Sequence, residues 1–154
     1  NDLVEFIAEN RKRLNVPAHN FCFEITESCA VRNLEATSKF VSELRKQGFS
    51  FSLDDFGKGF SSFPYLKTLP IDYVKIDGTF IKSIDKDYVD FSMVKSMRDM
   101  CYHLGLYTIG EYAENEQIVS ILKDIGIDYG QGYAFQKPIP IEEAIKLQND
   151  RNRI

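Results

Sequence analysis

The sequence predicts an α/β protein of the parallel β/α (TIM-like) barrel class, and three observations lead there. Short apolar runs recur along the 154 residues, each run ends in a polar or charged residue, and a segment of helical spacing follows. In a sheet of parallel strands the C-terminal ends line one mouth, so residues far apart in sequence converge on one site.

The elements follow in order. A helix around Asp2 to Leu14 precedes the first strand, where Phe21-Cys22-Phe23 leads into Glu24 and then Glu27. Asn33 is placed to N-cap a helix carrying Thr37, Phe40, Val41 and Leu44, which stops at Gly48. The second run, Phe49, Phe51 and Leu53, meets Asp54-Asp55-Phe56-Gly57; the third, Tyr73-Val74, leads into Lys75 and Asp77. Met93, Met97, Met100, Cys101 and Leu104 form a helical stripe closed by Gly105. Tyr107-Thr108-Ile109 leads into Glu111 and Glu114, and the stripe Ile118, Ile121, Leu122, Ile125 stops at Gly126. The last run, near Tyr129, leads into Gln131. The stripes, methionines included, read as core faces packed on the sheet.

Asp54-Asp55 is the most informative pair. Adjacent carboxylates at the end of an apolar strand repel one another unless a cation holds them, and oxygen ligands of this kind suit Mg²⁺ or Mn²⁺. A turn or capping pair is the plainer reading of the same residues.

A closed eight-stranded barrel needs about 250 residues, and the sequence holds roughly five of the eight units. An open parallel edge is costly, so about three N-terminal strands are expected outside this sequence, or from another copy. Residues 1–154 read as one domain or part of one, the C-terminal portion of a single barrel.

Composition excludes several classes. With 44% hydrophobic residues and no apolar run of membrane-span length, nothing points to insertion, and the expected location is cytoplasmic, free or as the cytoplasmic part of a membrane-anchored protein. A net charge of -4 argues against a nucleic-acid polymer as partner. His19 and His103 are too isolated for a histidine zinc site, and Cys22, Cys29 and Cys101 read as buried thiols.

Five segments then carry a family resemblance: Glu24-Ile25-Thr26-Glu27; Leu53-Asp54-Asp55-Phe56-Gly57 continuing into Gly59-Phe60-Ser61-Ser62; Leu69-Pro70-Ile71-Asp72-Tyr73-Val74-Lys75-Ile76-Asp77; Glu111-Tyr112-Ala113-Glu114-Asn115; and Gln131-Gly132-Tyr133 with Lys137-Pro138-Ile139-Pro140. In this order the chain resembles the EAL domain of bacterial cyclic di-GMP phosphodiesterases. The resemblance implies a β/α barrel, two divalent metals (Mg²⁺ or Mn²⁺), and hydrolysis of cyclic di-GMP to linear pGpG. It also implies a homodimer and an adjoining sensory or GGDEF-type domain.

By the same resemblance Glu24 is a ligand of the first metal, Asp54 is shared by both ions, and Asp55 and Glu111 hold the second. Lys75 contacts the attacking water, with Asp55 and Glu114 also in catalytic roles; Glu27, Asp77 and Gln131 organise the loop or the substrate edge. The chain also departs from the family pattern. The Glu-Ala-Leu motif that names the family and a metal-binding Asn are expected upstream, Lys58 stands where a small residue is usual, Gly78 replaces a common Arg, and Tyr112 stands where Gly is frequent. A degenerate domain that binds the dinucleotide or a partner without cleaving it is the alternative. A metal-free glycosidase pair of carboxylates fits poorly with Asp54-Asp55 and Lys75.

Overall fold

The computed structural model describes residues 2–59 and 63–151, so the predicted segment Phe60-Ser61-Ser62 lies outside the described residues. Five parallel strands form one sheet in the order β1-β2-β3-β4-β5. They are β1 (Cys22–Thr26), β2 (Ser50–Phe56), β3 (Tyr73–Ile76), β4 (Tyr107–Gly110) and β5 (Tyr129–Gly130). Strand order equals sequence order, as in consecutive units of a β/α barrel.

The helices are α1 (Asp2–Leu14), α2 (Glu27–Arg32), α3 (Leu34–Arg45), α4 (Gly78–Ile81), α5 (Tyr88–His103), α6 (Glu116–Ile125) and α7 (Ile141–Arg151). The Ala36 N–H donates to the Asn33 side chain at 3.3 Å, and the Ile118 N–H to Asn115 at 2.9 Å, so both helix starts satisfy a donor that would otherwise be orphaned. Gly126 closes α6 at φ 87°, a conformation that glycine adopts without a Cβ penalty. The short helices α2 and α4 are not legible in the apolar pattern, because six- and four-residue helices carry no full stripe.

The sheet separates two faces. Ile25, Leu53, Val74 and Thr108 lie in one register row that turns toward the helices; Leu53 and Val74 are wholly buried there with Phe51, Phe56 and Ile76. Each such side chain contributes roughly 1.5–3 kcal/mol relative to exposure. The opposite face carries Glu24, Ser52, Lys75 and Ile109.

β2 contains an irregularity that sets the direction of its last acid. Leu53 pairs with Val74 and Phe56 with Ile76, so three steps along β2 match two along β3. Leu53 and Phe56 are both fully buried although three residues apart, which simple alternation forbids. An extra residue resolves the parity: Asp55, at φ 58°, is left-handed, a state that Asp tolerates better than most side chains.

A repeated latch aligns the strand starts. In Ile71-Asp72-Tyr73, the Asp72 carboxylate accepts the Phe51 N–H at 2.8 Å and pairs with Arg45 at 2.6 Å. In Ile127-Asp128-Tyr129, Asp128 accepts both the Thr108 N–H (2.8 Å) and its hydroxyl (2.7 Å). Each acid at a strand entrance thus fixes its neighbouring strand.

Two sequence expectations are corrected. Cys101 is buried, its thiol pushed up to about 12 by burial and then by Asp128, but Cys22 and Cys29 are exposed. Cys22 is the first residue of β1 and lies on the face of the sheet opposite the helices. On α5 the buried residues are Val94, Met97 and Cys101, whereas Met93 is exposed and lines an open groove of about 600 Å³ with Phe63 and Tyr88. The core-facing stripe is therefore narrower than the spacing of the methionines suggests.

Candidate functional site

β3 carries Lys75 at its third position, and this side chain is the centre of the site. It is 4% exposed, and its ammonium lies 2.9 Å from Asp54, 2.9 Å from Glu111 and 3.2 Å from Glu24. The acids come from β2, from the residue after β4, and from the middle of β1. Lysine on β3 can meet all of them because Glu24, Asp54 and Lys75 point to the same face at adjacent strands, and the Glu111 N–H, bonded to the Ile76 carbonyl at 3.3 Å, continues the ladder one residue past β4.

The electrostatics follow from this crowding. Burial opposes the charge on Lys75, but bonds to Asp54 and Glu111 outweigh it and hold the ammonium above the ordinary lysine range. Glu111 is pushed up: burial acts first, Lys75 opposes it, and the charges of Asp54 and Asp77 add to it. One ammonium thus faces three carboxylates, a formal surplus of two negative charges.

Asp55 points elsewhere than Asp54. The extra residue in β2 turns it toward Lys58 at 3.4 Å, and Lys58 also reaches Asp77 at 3.8 Å. Asp77 caps α4, accepting the Thr79 N–H at 2.8 Å. Burial would raise the Asp77 carboxyl, but the Thr79 bonds and Lys58 hold it below its usual range. Lys58 itself is a solvent-exposed loop residue.

Glu27, the first residue of α2, is away from the lysine and almost fully buried. It accepts the Tyr65 hydroxyl at 2.7 Å and the Gly57 N–H at 3.2 Å, joining β1 to the loop that follows β2. Burial and then Glu27 push the Tyr65 hydroxyl well above its ordinary range. Tyr65 is not predictable from sequence, since nothing around it marks a buried partner 38 residues from Glu27.

Glu114 and Gln131 complete the rim. Together with Glu111, Tyr112, Gly132 and Tyr133 they line a cavity of about 300 Å³. Gln131 also lines a second space of about 420 Å³ with Glu24, Ser52 and Tyr73 on the open face of the sheet. The Ser52 hydroxyl there is buried without a partner, another residue that the sequence does not flag. Close approach of two chain segments fixes the floor: a Cβ on Gly132 would overlap the backbone of Ala113, whose N–H donates to the Gln131 carbonyl at 3.0 Å.

These features define a class, an acid-and-lysine site at the C-terminal mouth of consecutive parallel β/α units. The chain belongs to the EAL domain family, which matches residues 1–138. It is 46% identical over 139 residues to the cyclic di-GMP phosphodiesterase PdeB of Shewanella oneidensis, covering 90% of this chain and 16% of that protein. To the cyclic di-GMP phosphodiesterase PdeA of Borreliella burgdorferi it is 40% identical over 136 residues, covering 88% and 20%. The chain thus spans a fifth or less of the length of these relatives.

Among solved structures, the PaMucR phosphodiesterase in complex with c-di-GMP is similar with a TM-score of 0.88 and 32% identity, covering 92% of this chain and 57% of that one. The manganese and c-di-GMP complex of Klebsiella pneumoniae BlrP1 is similar with a TM-score of 0.83 and 25% identity, covering 89% and 35%. The five-stranded α/β architecture is therefore part of the EAL barrel.

Among the described residues, no group of three His, Cys, Asp or Glu side chains is arranged to hold a metal ion. No helix among them is long and apolar enough to cross a membrane.

Proposed function

We propose that this chain forms part of a metal-dependent phosphodiesterase domain that hydrolyses cyclic di-GMP to linear pGpG. One observation carries the reading: three carboxylates, from β1, from β2 and from the residue after β4, gather on a single buried lysine at the mouth of the sheet. The names of the relatives and the ligands of PaMucR and BlrP1 support the same substrate and cation class.

The donor chemistry fits a hard cation. Carboxylate oxygens with surplus negative charge are what Mg²⁺ and Mn²⁺ take, and Mg²⁺ keeps several waters and substrate oxygens alongside one or two carboxylates. Glu24, Asp54 and Glu111, gathered on Lys75, and Asp55, which faces Lys58 here, would hold the ions. When bound, such ions lower the pKa of a water and stabilise the attacking and departing oxygens of an in-line displacement.

The remaining residues are assigned roles compatible with their placement. Lys75, kept charged well above neutral pH, orients a water among the acids and offsets negative charge as it develops on the phosphate. Glu114 and Gln131 face the substrate edge, with Glu114 placed to take up a proton there. Glu27 and Asp77 hold the loop and the start of α4 that frame Asp55.

The test is an assay of pGpG formation by the intact protein with Mg²⁺ or Mn²⁺. Metal-dependent product is expected. Undiminished turnover in excess chelator would overturn the metal reading, and tight binding of cyclic di-GMP without cleavage would replace the enzyme with a receptor.

A further inference from the structure

Tyr112 is an energetic anomaly beside the acid site. Its φ of 53° is left-handed, which costs an L-residue roughly 1–2 kcal/mol. The residue is 49% exposed, so burial in the core does not repay that cost. Such strain persists only where the surroundings impose it, and it clusters at ligand sites.

The surroundings here are built around the ring. Gly78 has no Cβ, and one placed there would overlap the Tyr112 ring, so the start of α4 is cut away to admit it. The Lys82 ammonium sits over the ring at 4.0 Å from its centre. What is left of the ring lines the 300 Å³ cavity, together with Tyr133, 60% exposed, whose ring carries Lys137 at 5.6 Å. Two solvent-open tyrosines, each backed by a lysine, thus share a cavity with the carboxylate of Glu114 and the amide of Gln131.

We infer that this cavity is a base-binding slot in which Tyr112 stacks on a purine of the nucleotide ligand. Stacking on an aromatic ring is the general way proteins hold an unpaired base, and it is indifferent to sequence. The acceptors on the cavity wall match a base rich in N–H donors, as guanine is. The inference rests on the cyclic di-GMP reading for the identity of the base.

The test uses Tyr112→Gly in the intact protein, because glycine adopts this φ freely and leaves the backbone unstrained. Wild type, Tyr112→Gly and Tyr112→Phe would be titrated with GMP and with ribose 5-phosphate in Mn²⁺ buffer, beside thermal unfolding of each. The slot requires GMP affinity about ten-fold weaker in Tyr112→Gly and retained in Tyr112→Phe. Ribose 5-phosphate affinity and the unfolding midpoint should be unchanged or, for the midpoint, higher. Equal loss for both ligands, undiminished GMP binding by Tyr112→Gly, or a wild type that prefers neither ligand would overturn it. Because these monoesters are not turned over, the slot can fail while hydrolysis of cyclic di-GMP stands, and hydrolysis can fail while the slot stands.

Discussion

Glu27 and Lys75 are both charged side chains taken almost wholly out of water, 3% and 4% exposed, and both lie at the C-terminal end of the sheet. Their partners differ. Glu27 is matched by two neutral donors, the Tyr65 hydroxyl and the Gly57 N–H, one on each carboxylate oxygen, which add no charge. Lys75 is surrounded by three acids, more than its charge can balance. A satisfied buried charge holds architecture; an over-supplied one keeps free energy available for another cation. The same fold thus places a closed polar network and an open one side by side.

The largest effect that would sharpen this contrast comes from Lys75→Met. Turnover should fall on the order of 10²-fold or more, as for other well-placed electrostatic groups. Loss of the ammonium also leaves Glu24, Asp54 and Glu111 facing each other, so added Mn²⁺ should raise the unfolding midpoint by more than in wild type. Single-turnover rates and thermal unfolding across Mn²⁺ concentrations check both halves. An unchanged rate would remove Lys75 from the reaction.

A smaller effect is expected at the closed network. Glu27→Gln keeps an acceptor but weakens bonds made to a charge, and should cost about 1–3 kcal/mol in denaturant unfolding. Mn²⁺ affinity should fall far less than in Asp54→Asn, since Glu27 bonds to none of the acids around Lys75 and bears on Asp55 only through the loop. A large loss of metal affinity in this variant would erase the distinction between the two networks.

The smallest effect is a pH dependence. Lys75 and Tyr65 both have folded values raised above their ordinary 10.5 and 10.0. Their contribution to stability is therefore complete below about pH 10 and is lost as pH rises toward the folded values. Glu111, also raised from 4.5, works in the same sense at the acid end, costing stability as pH rises past its ordinary value. Tyr65→Phe should flatten the alkaline decline but not abolish it, because Lys75 remains. Unfolding free energy measured from about pH 9 to 11 in the two proteins tests this.

Much of the fold and of the acid cluster is legible in the sequence, for physical reasons that can be named. Apolar runs ending in polar residues report strand polarity directly, so the parallel sheet and the convergence of Glu24, Asp54, Lys75 and Glu111 can be read from spacing. The differing orientations of Asp54 and Asp55 are less visible. They depend on an extra residue in β2, whose only trace is that Leu53 and Phe56 are both apolar at odd spacing. Tyr65, Ser52 and the strained Tyr112 are out of reach as structural elements, since each takes its environment from a residue distant in the chain. Cys29 departs from expectation because cysteine's usual burial is a composition rule, whereas here it lies exposed on the short helix α2.

The difference between the open and the closed network is tested most directly by the Mn²⁺-dependent shift in unfolding temperature of three forms of the intact protein: wild type, Asp54→Asn and Glu27→Gln. A ligand that binds the folded state raises its stability in proportion to the logarithm of ligand concentration over Kd. Wild type should rise as Mn²⁺ is added, Glu27→Gln should follow it in part or in full, and Asp54→Asn should stay flat. Equal shifts in all three, or none in wild type, would contradict the assignment of the Lys75 cluster as the cation site.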